Sequence, residues 1–190
     1  MTRPGRRPRL GISIADFSVM RPIVVLVVAL MISLVASAEP RAGQTMPPFA
    51  VGDLEGRQRT QRDLTGSYTV VCAMADSDAD EEIAAWWHPI AASVPPGTRI
   101  VTLIALDLFG LIPTSTVLSE ARSRTPRPQW AWVWLSRDGS LAESLALEDS
   151  ETPWVFVIDP AGRVVLNVHA NYNPVDLARV VGAVPRTARR

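Results

Sequence analysis

The sequence has no lysine: all 19 of its basic side chains are arginine, set against 19 acidic ones, which reads first as a coding bias. A single cysteine, Cys72, excludes an intramolecular disulfide and with it intramolecular dithiol chemistry. The two histidines, His88 and His169, cannot complete a multi-histidine metal site. No glycine-rich phosphate loop is present, and no nucleophile elbow marks Ser-His-Asp catalysis. No apolar run approaches the roughly 20 residues that cross a bilayer comfortably. What remains is a 190-residue chain, 47% apolar and 20% charged. It is too hydrophobic for disorder and long enough for one ordinary domain with an appendage.

The appendage is N-terminal. Residues 23 to 35 form an uncharged run of 13, preceded by Arg21 and followed by Ala36-Ser37-Ala38. Basic flank, short apolar core and small-x-small site together predict a signal peptide over 1 to 38, cut after Ala38 to release a periplasmic or secreted protein. An uncleaved membrane anchor is the alternative, and only then is a membrane a partner. Met20 offers an internal start, which would make residues 1 to 19 a misassigned extension. The remaining 152 residues keep 14 arginines and 18 acids, a net charge of −4. Such a domain lacks the clustered positive charge of a nucleic-acid binder.

Along this mature part, residues 39 to 46 are polar and unpatterned and read as a linker. Pro47 to Arg57, broken by Asp53-Leu54-Glu55-Gly56, reads as a hairpin. Thr69 to Ala75 is a continuous apolar run, as in a strand covered on both faces, and Arg99 to Leu106 is another. Between them, Asp80-Glu81-Glu82 leads into Ile83, Trp86 and Trp87, the way a helix starts. Pro113 to Arg124 is weakly helical and ends at Pro126 and Pro128. Gln129 to Ser136 alternates Trp130, Trp132 and Trp134 with small residues, predicting a strand with one aromatic face. Thr152 to Asp159 and Arg163 to Val168 flank the turn Pro160-Ala161-Gly162, and Asn173-Pro174 opens a last helix. The order predicts an α/β, three-layer fold with a central mixed sheet.

Those residues resemble a family. Pro48-Phe49, Asp53-Leu54-Glu55-Gly56-Arg57 and Asp63-Leu64-Thr65-Gly66, followed by an apolar strand and a helix, are similar to the opening of exported thioredoxin-like proteins of the redoxin or TlpA type. Trp134-Leu135-Ser136-Arg137-Asp138-Gly139 and Thr152 through Arg163 resemble that family's last half, over a span of residues 47 to 184, with 185 to 190 as a tail. The Ile112-Pro113 segment is similar to the small periplasmic YtfJ-type branch. The resemblance implies a thioredoxin-like fold, with Pro153 at the position of the family's cis-proline. It also implies a C-x-x-C at the start of the helix after the first core strand, where a helix N-terminus lowers a thiol pKa. This chain has Asp76-Ser77-Asp78-Ala79-Asp80-Glu81-Glu82 there and no cysteine. Cys72 lies earlier, inside the apolar strand, and reads as a buried inert thiol.

Three function classes follow. The leading one is an exported, redox-inactive thioredoxin-like domain that binds a protein or peptide of the cell envelope. Its expected contact residues are Thr152, Pro153 and Trp154, where an extended peptide would pair with backbone beside a cis-proline, and Trp130, Trp132 and Trp134, in excess of what a small core needs. The second is a divergent redoxin using Cys72 as a single-cysteine thiol peroxidase or oxidoreductase. The third is a carboxylate cation site at Asp76, Asp78 and Asp80, although Glu81 replaces the glycine of a calcium loop and Trp87 its bidentate glutamate. Helix capping is the simpler role for these acids. No motif calls for a cofactor.

Overall fold

The computed structural model describes residues 39–108 and 113–186. The expected signal peptide and Ile112 lie outside these residues, as does 187–190.

Seven strands form one mixed sheet. They are β1 (Ala50–Asp53), β2 (Gln58–Thr60), β3 (Thr69–Met74), β4 (Arg99–Ala105), β5 (Val133–Ser136), β6 (Trp154–Ile158) and β7 (Val164–His169), in the order β2-β1-β5-β4-β3-β6-β7. The β3–β4 and β4–β5 pairs are parallel and the others antiparallel. β3 is buried at all six positions, which is why its sequence is an unbroken apolar run. Its period-2 alternation sends Val71 and Ala73 to one core and Val70, Cys72 and Met74 to the other.

Helices α1 (Asp80–Ser93) and α4 (Pro174–Gly182) cover the second face. α1 buries Ile83, Trp86 and Ile90 on one stripe. Trp86 also donates its indole N–H to the Ala170 carbonyl at 3.0 Å and meets Tyr172 edge-on. α4 starts as its sequence predicts, with the Asn173 side chain accepting from the Asp176 N–H at 2.9 Å and Pro174 in the first turn. The opposite face is closed by Met46, Phe49, Leu64 and the short helix α3 (Ser140–Leu145). Helix α2 (Thr114–Arg124) follows β4 and buries none of its residues.

The opening hairpin is turned by a buried carboxylate. Asp53, 1% exposed, accepts the N–H groups of Glu55 and Arg57 at 2.9 and 2.8 Å on one oxygen, and the other receives the Arg59 guanidinium at 2.9 Å.

Two expectations about local structure need correcting. Gln129 to Ser136 is not one strand: Arg127–Trp132 is a 3-10 turn and β5 begins only at Val133. Pro126 caps that turn and Pro128 sits at its start, where a fixed φ and a missing N–H suit a tight turn and deny a ladder bond. Residues 39–46 are not a free linker. Gly43 and Gln44 exchange 2.8 Å backbone bonds with Val164, Thr45 bridges Arg163, and Met46 is 5% exposed in the core. The segment lies beside the start of β7, anchored by Met46, with its polar residues 41–45 exposed.

Candidate functional site

The loop after β3 runs into the N-terminus of α1, and four sets of sequence-singled residues surround or avoid it. Asp76 caps a short 3-10 turn, Ser77–Ala79, by accepting the Asp78 N–H at 3.0 Å. Asp80, the first residue of α1, pairs with Arg124 at 2.7 Å, and Arg124 also holds Glu120 at 2.8 Å. The hydrogen bond and charge of Glu120, then the charge of Asp80, raise the Arg124 guanidinium above its ordinary value. Asp76 and Asp80 therefore serve separate partners, the Asp78 N–H and Arg124. Among the described residues no group of three or more His, Cys, Asp or Glu is placed to hold a metal ion.

Cys72 sits two residues before the end of β3, directed into the layer between the sheet and α1. It has no exposed surface, and burial pushes its thiol up from 9.0 to about 12. A nucleophilic cysteine needs the opposite environment, electropositive and partly exposed.

Pro153 is buried at the start of β6, across from the end of β3. Its expected cis bond is not found: no peptide bond among the described residues is cis. The backbone beside it has partners within the chain: the Thr152 N–H donates to the Ser150 hydroxyl at 3.1 Å and its carbonyl lies 3.1 Å from His169 Nε2. His169 stacks on Trp154 at 4.0 Å between ring centroids.

The tryptophans divide. Trp134 and Trp154 are core residues, 1% and 2% exposed. Trp130 and Trp132 belong to the 3-10 turn and remain reachable. Trp130 donates to the Thr125 carbonyl at 2.9 Å and lies beneath two guanidinium groups, Arg122 at 5.2 Å and Arg127 at 5.8 Å. Trp132 is 40% exposed. No single aromatic face unites the three, because the turn rotates the chain between Trp132 and Trp134.

The feature that sequence reasoning missed is a groove of about 760 Å³ between α1 and α2, floored by β4. α1 contributes Asp80, Ile83, Ala84, Trp87 and His88, a second stripe beside the one it buries, and α2 contributes Val117, Glu120, Ala121 and Arg124. Thr102, Ile104 and Leu106 form the floor, so a central strand stays half-covered at Ile104 and Leu106. Thr102 was the available signal: a hydroxyl in an otherwise apolar run, on the strand that floors the groove.

Strand order, crossovers and helix placement can now be set against known structures. The chain superimposes on the pneumococcal exposed lipoprotein thioredoxin of Streptococcus pneumoniae strain TIGR4 with a TM-score of 0.53 and 13% identity, covering 72% of this chain and 99% of that one. The thiol peroxidase of Chromobacterium violaceum gives 0.54 and 12%, over 75% and 86%. Copper-bound yeast Sco1 gives 0.53 and 16%, over 76% and 93%. The fold is thioredoxin-like. No family model matches the sequence, and no curated protein matches it. At these identities the likeness carries the thioredoxin-like architecture and leaves the activity to this chain's own residues. Those residues place acids and a cap, Asp76 to Glu82, at the helix start where the family resemblance expects cysteines.

Proposed function

We propose that this chain is an exported thioredoxin-like domain without thiol–disulfide chemistry, acting by binding a protein or peptide in the cell envelope. The observation that supports it most is the contrast at one end of the sheet. The sole thiol is sealed beneath α1 with its pKa driven upward, while an apolar groove beside the same helix stands open. Trp132 and the arginine-flanked Trp130 add a reachable aromatic surface of the kind enriched at interfaces. Export rests on the basic flank, the 13-residue apolar run and Ala36-Ser37-Ala38. Among the described residues no helix is long and apolar enough to cross a membrane. The single-cysteine peroxidase reading fares worse, because peroxide would have to reach an atom with no exposed surface and find a thiolate there.

Site-specific photo-crosslinking tests the binding role. A benzophenone side chain at position 132 should give a discrete adduct in whole cells, and one at Val175, 72% exposed in the first turn of α4, should not. Identical adduct patterns from both positions, or none from any position around Trp132 and the groove, would refute the role.

A further inference from the structure

Two guanidinium groups share the Trp130 ring, and neither Arg122 nor Arg127 is paired with a carboxylate among the described residues. On α2, Glu120 and Arg124 serve the α1 side, where Arg124 meets Asp80. Arg122, two residues on from Glu120, is turned about 200° around the helix from it. It reaches the first hairpin instead, donating Nε–H to the Leu54 carbonyl at 2.8 Å. Glu55, the acid beside Leu54, is already held by Arg57 at 2.8 Å. Arg127 is exposed, and Pro126 and Pro128 on either side of it restrict the backbone that carries it.

A guanidinium held over a ring by cation–π attraction spends none of its N–H donors on that contact. Arg122 therefore keeps its Nη donors, and Arg127 all five of its own, on groups that the indole and the Leu54 carbonyl have already oriented. Two residues along the same turn, Trp132 adds apolar surface, 40% exposed.

We propose that this surface binds an extended acidic segment of the partner protein, with carboxylates at alternate positions received by Arg122 and Arg127 and an apolar side chain laid on Trp132. The inference rests on the partner-binding reading and adds what the partner must present, and where. Side chains two apart on an extended chain share a face about 7 Å apart, a spacing that suits two guanidiniums over one ring, and forked donors suit carboxylates. Charge favours a short segment over a nucleic acid. Residues 39 to 190 carry a net −4, which repels a long polyanion over most of the surface, and two arginines are few beside the roughly six to ten phosphate contacts of a strong duplex binder.

The probe is a fluorescent octapeptide with glutamates at alternate positions and a leucine beside them, titrated against the full chain by anisotropy. A second peptide carries glutamine in place of each glutamate. The amide peptide should bind at least about tenfold more weakly, and binding of the acidic one should fall as salt rises. Arg127 makes no hydrogen bond within the chain, so Arg127→Gln should weaken binding about tenfold with the melting temperature unchanged. Arg122→Gln gives a second reading should Arg127→Gln misfold. Arg163→Gln, which removes the same charge from the exposed turn before β7, should change binding less than about twofold.

Several results would overturn the proposal: no binding by folded wild type up to about 1 mM peptide, equal binding of the amide peptide, or indifference to both arginine substitutions. Binding of a single-stranded oligonucleotide but not of the peptide, lost in Arg127→Gln, would make the surface a nucleic-acid contact instead. Concentration-dependent dimers lost in Arg127→Gln would assign it to a second copy. Crosslinks at position 132 that persist unchanged in Arg127→Gln would keep the partner and remove the acidic segment, so failure of the two readings is separable.

Discussion

Replacing or modifying Cys72 probes the core and the proposed lack of thiol chemistry together. Burial raises its thiol from 9.0 to about 12. At any pH below the ordinary value the thiolate fraction is therefore about a thousandfold lower than for an exposed cysteine. Ellman's reagent should label the native protein at least about that much more slowly than the urea-unfolded chain, since access to an unexposed sulfur requires opening as well. The same shift sets a stability slope. The folded-state pKa lies above the unfolded one, so the contribution is fully present below about pH 9 and is lost as pH rises towards 12. The unfolded chain sheds the proton first. At about 1.36 kcal/mol per unit, up to ~4 kcal/mol separates the two ends of that window. The quantity to measure is the difference in unfolding free energy between wild type and Cys72→Ala from pH 7 to 11, which removes the shared contribution of tyrosines and arginines. It should shrink steadily above pH 9. A flat difference, or native labelling within a few-fold of the unfolded rate, would refute the placement of the thiol.

Further expectations come from individual contacts. Asp53→Ala strands two backbone N–H groups and Arg59, and should cost about 3 kcal/mol in urea unfolding, the low end for a broken buried pair because Asp63 lies 3.8 Å from the same guanidinium. A loss under about 0.5 kcal/mol, typical of a surface change, would mean the carboxylate is not buried as described. Asp138 is held down at about 2 chiefly by the Ser140 hydroxyl, then by that of Ser136. Ser140→Ala should raise its NMR titration midpoint, and an unmoved midpoint would reject that hydrogen bond as the cause. Because this folded-state pKa is depressed, its contribution is present above the ordinary carboxylate range and is lost as pH falls through about 2. Calcium should leave the melting temperature unchanged and Asp78→Asn should cost little. A calcium-dependent rise abolished by Asp78→Asn would restore the cation site, since ligand at about a hundredfold excess over its Kd adds about 2.7 kcal/mol.

The legibility of this fold varied with how local its determinants are. β3 and β6 could be read because a strand buried on both faces has no choice but a continuous apolar run, and β4 because Ile100 to Ala105 is apolar but for Thr102. Helix starts were legible at Asp80 and at Asn173-Pro174 because caps and dipole partners are written within one turn. α3 was missed: six residues carry too little periodicity, and its real marks are Leu141 and Leu145 at i, i+4 between two residues of positive φ, Gly139 and Ala146. The tryptophan alternation misled because period 2 is also compatible with a proline-started 3-10 turn that feeds a strand midway. Docking of residues 39 to 46 depends on one exposed strand edge and on Met46, neither visible as a pattern.

The site was legible in the same uneven way. That Cys72 is buried followed from its flanks, Val71 and Ala73, and the structure leaves it no exposed surface. That the bond before Pro153 is cis did not survive, and the partners of the Thr152 backbone, His169 and Ser150, are distant or silent in the sequence. The groove arises from the distance between two helices, which no sequence pattern encodes.

Turnover measures the central claim most directly. Purified protein, supplied with dithiothreitol and insulin in one assay and with thiol and hydrogen peroxide in another, should match the protein-free rate in both. Wild type and Cys72→Ser should be indistinguishable. Catalysed insulin reduction or peroxide consumption that disappears in Cys72→Ser would show that the sealed thiol is an active one and would contradict the account.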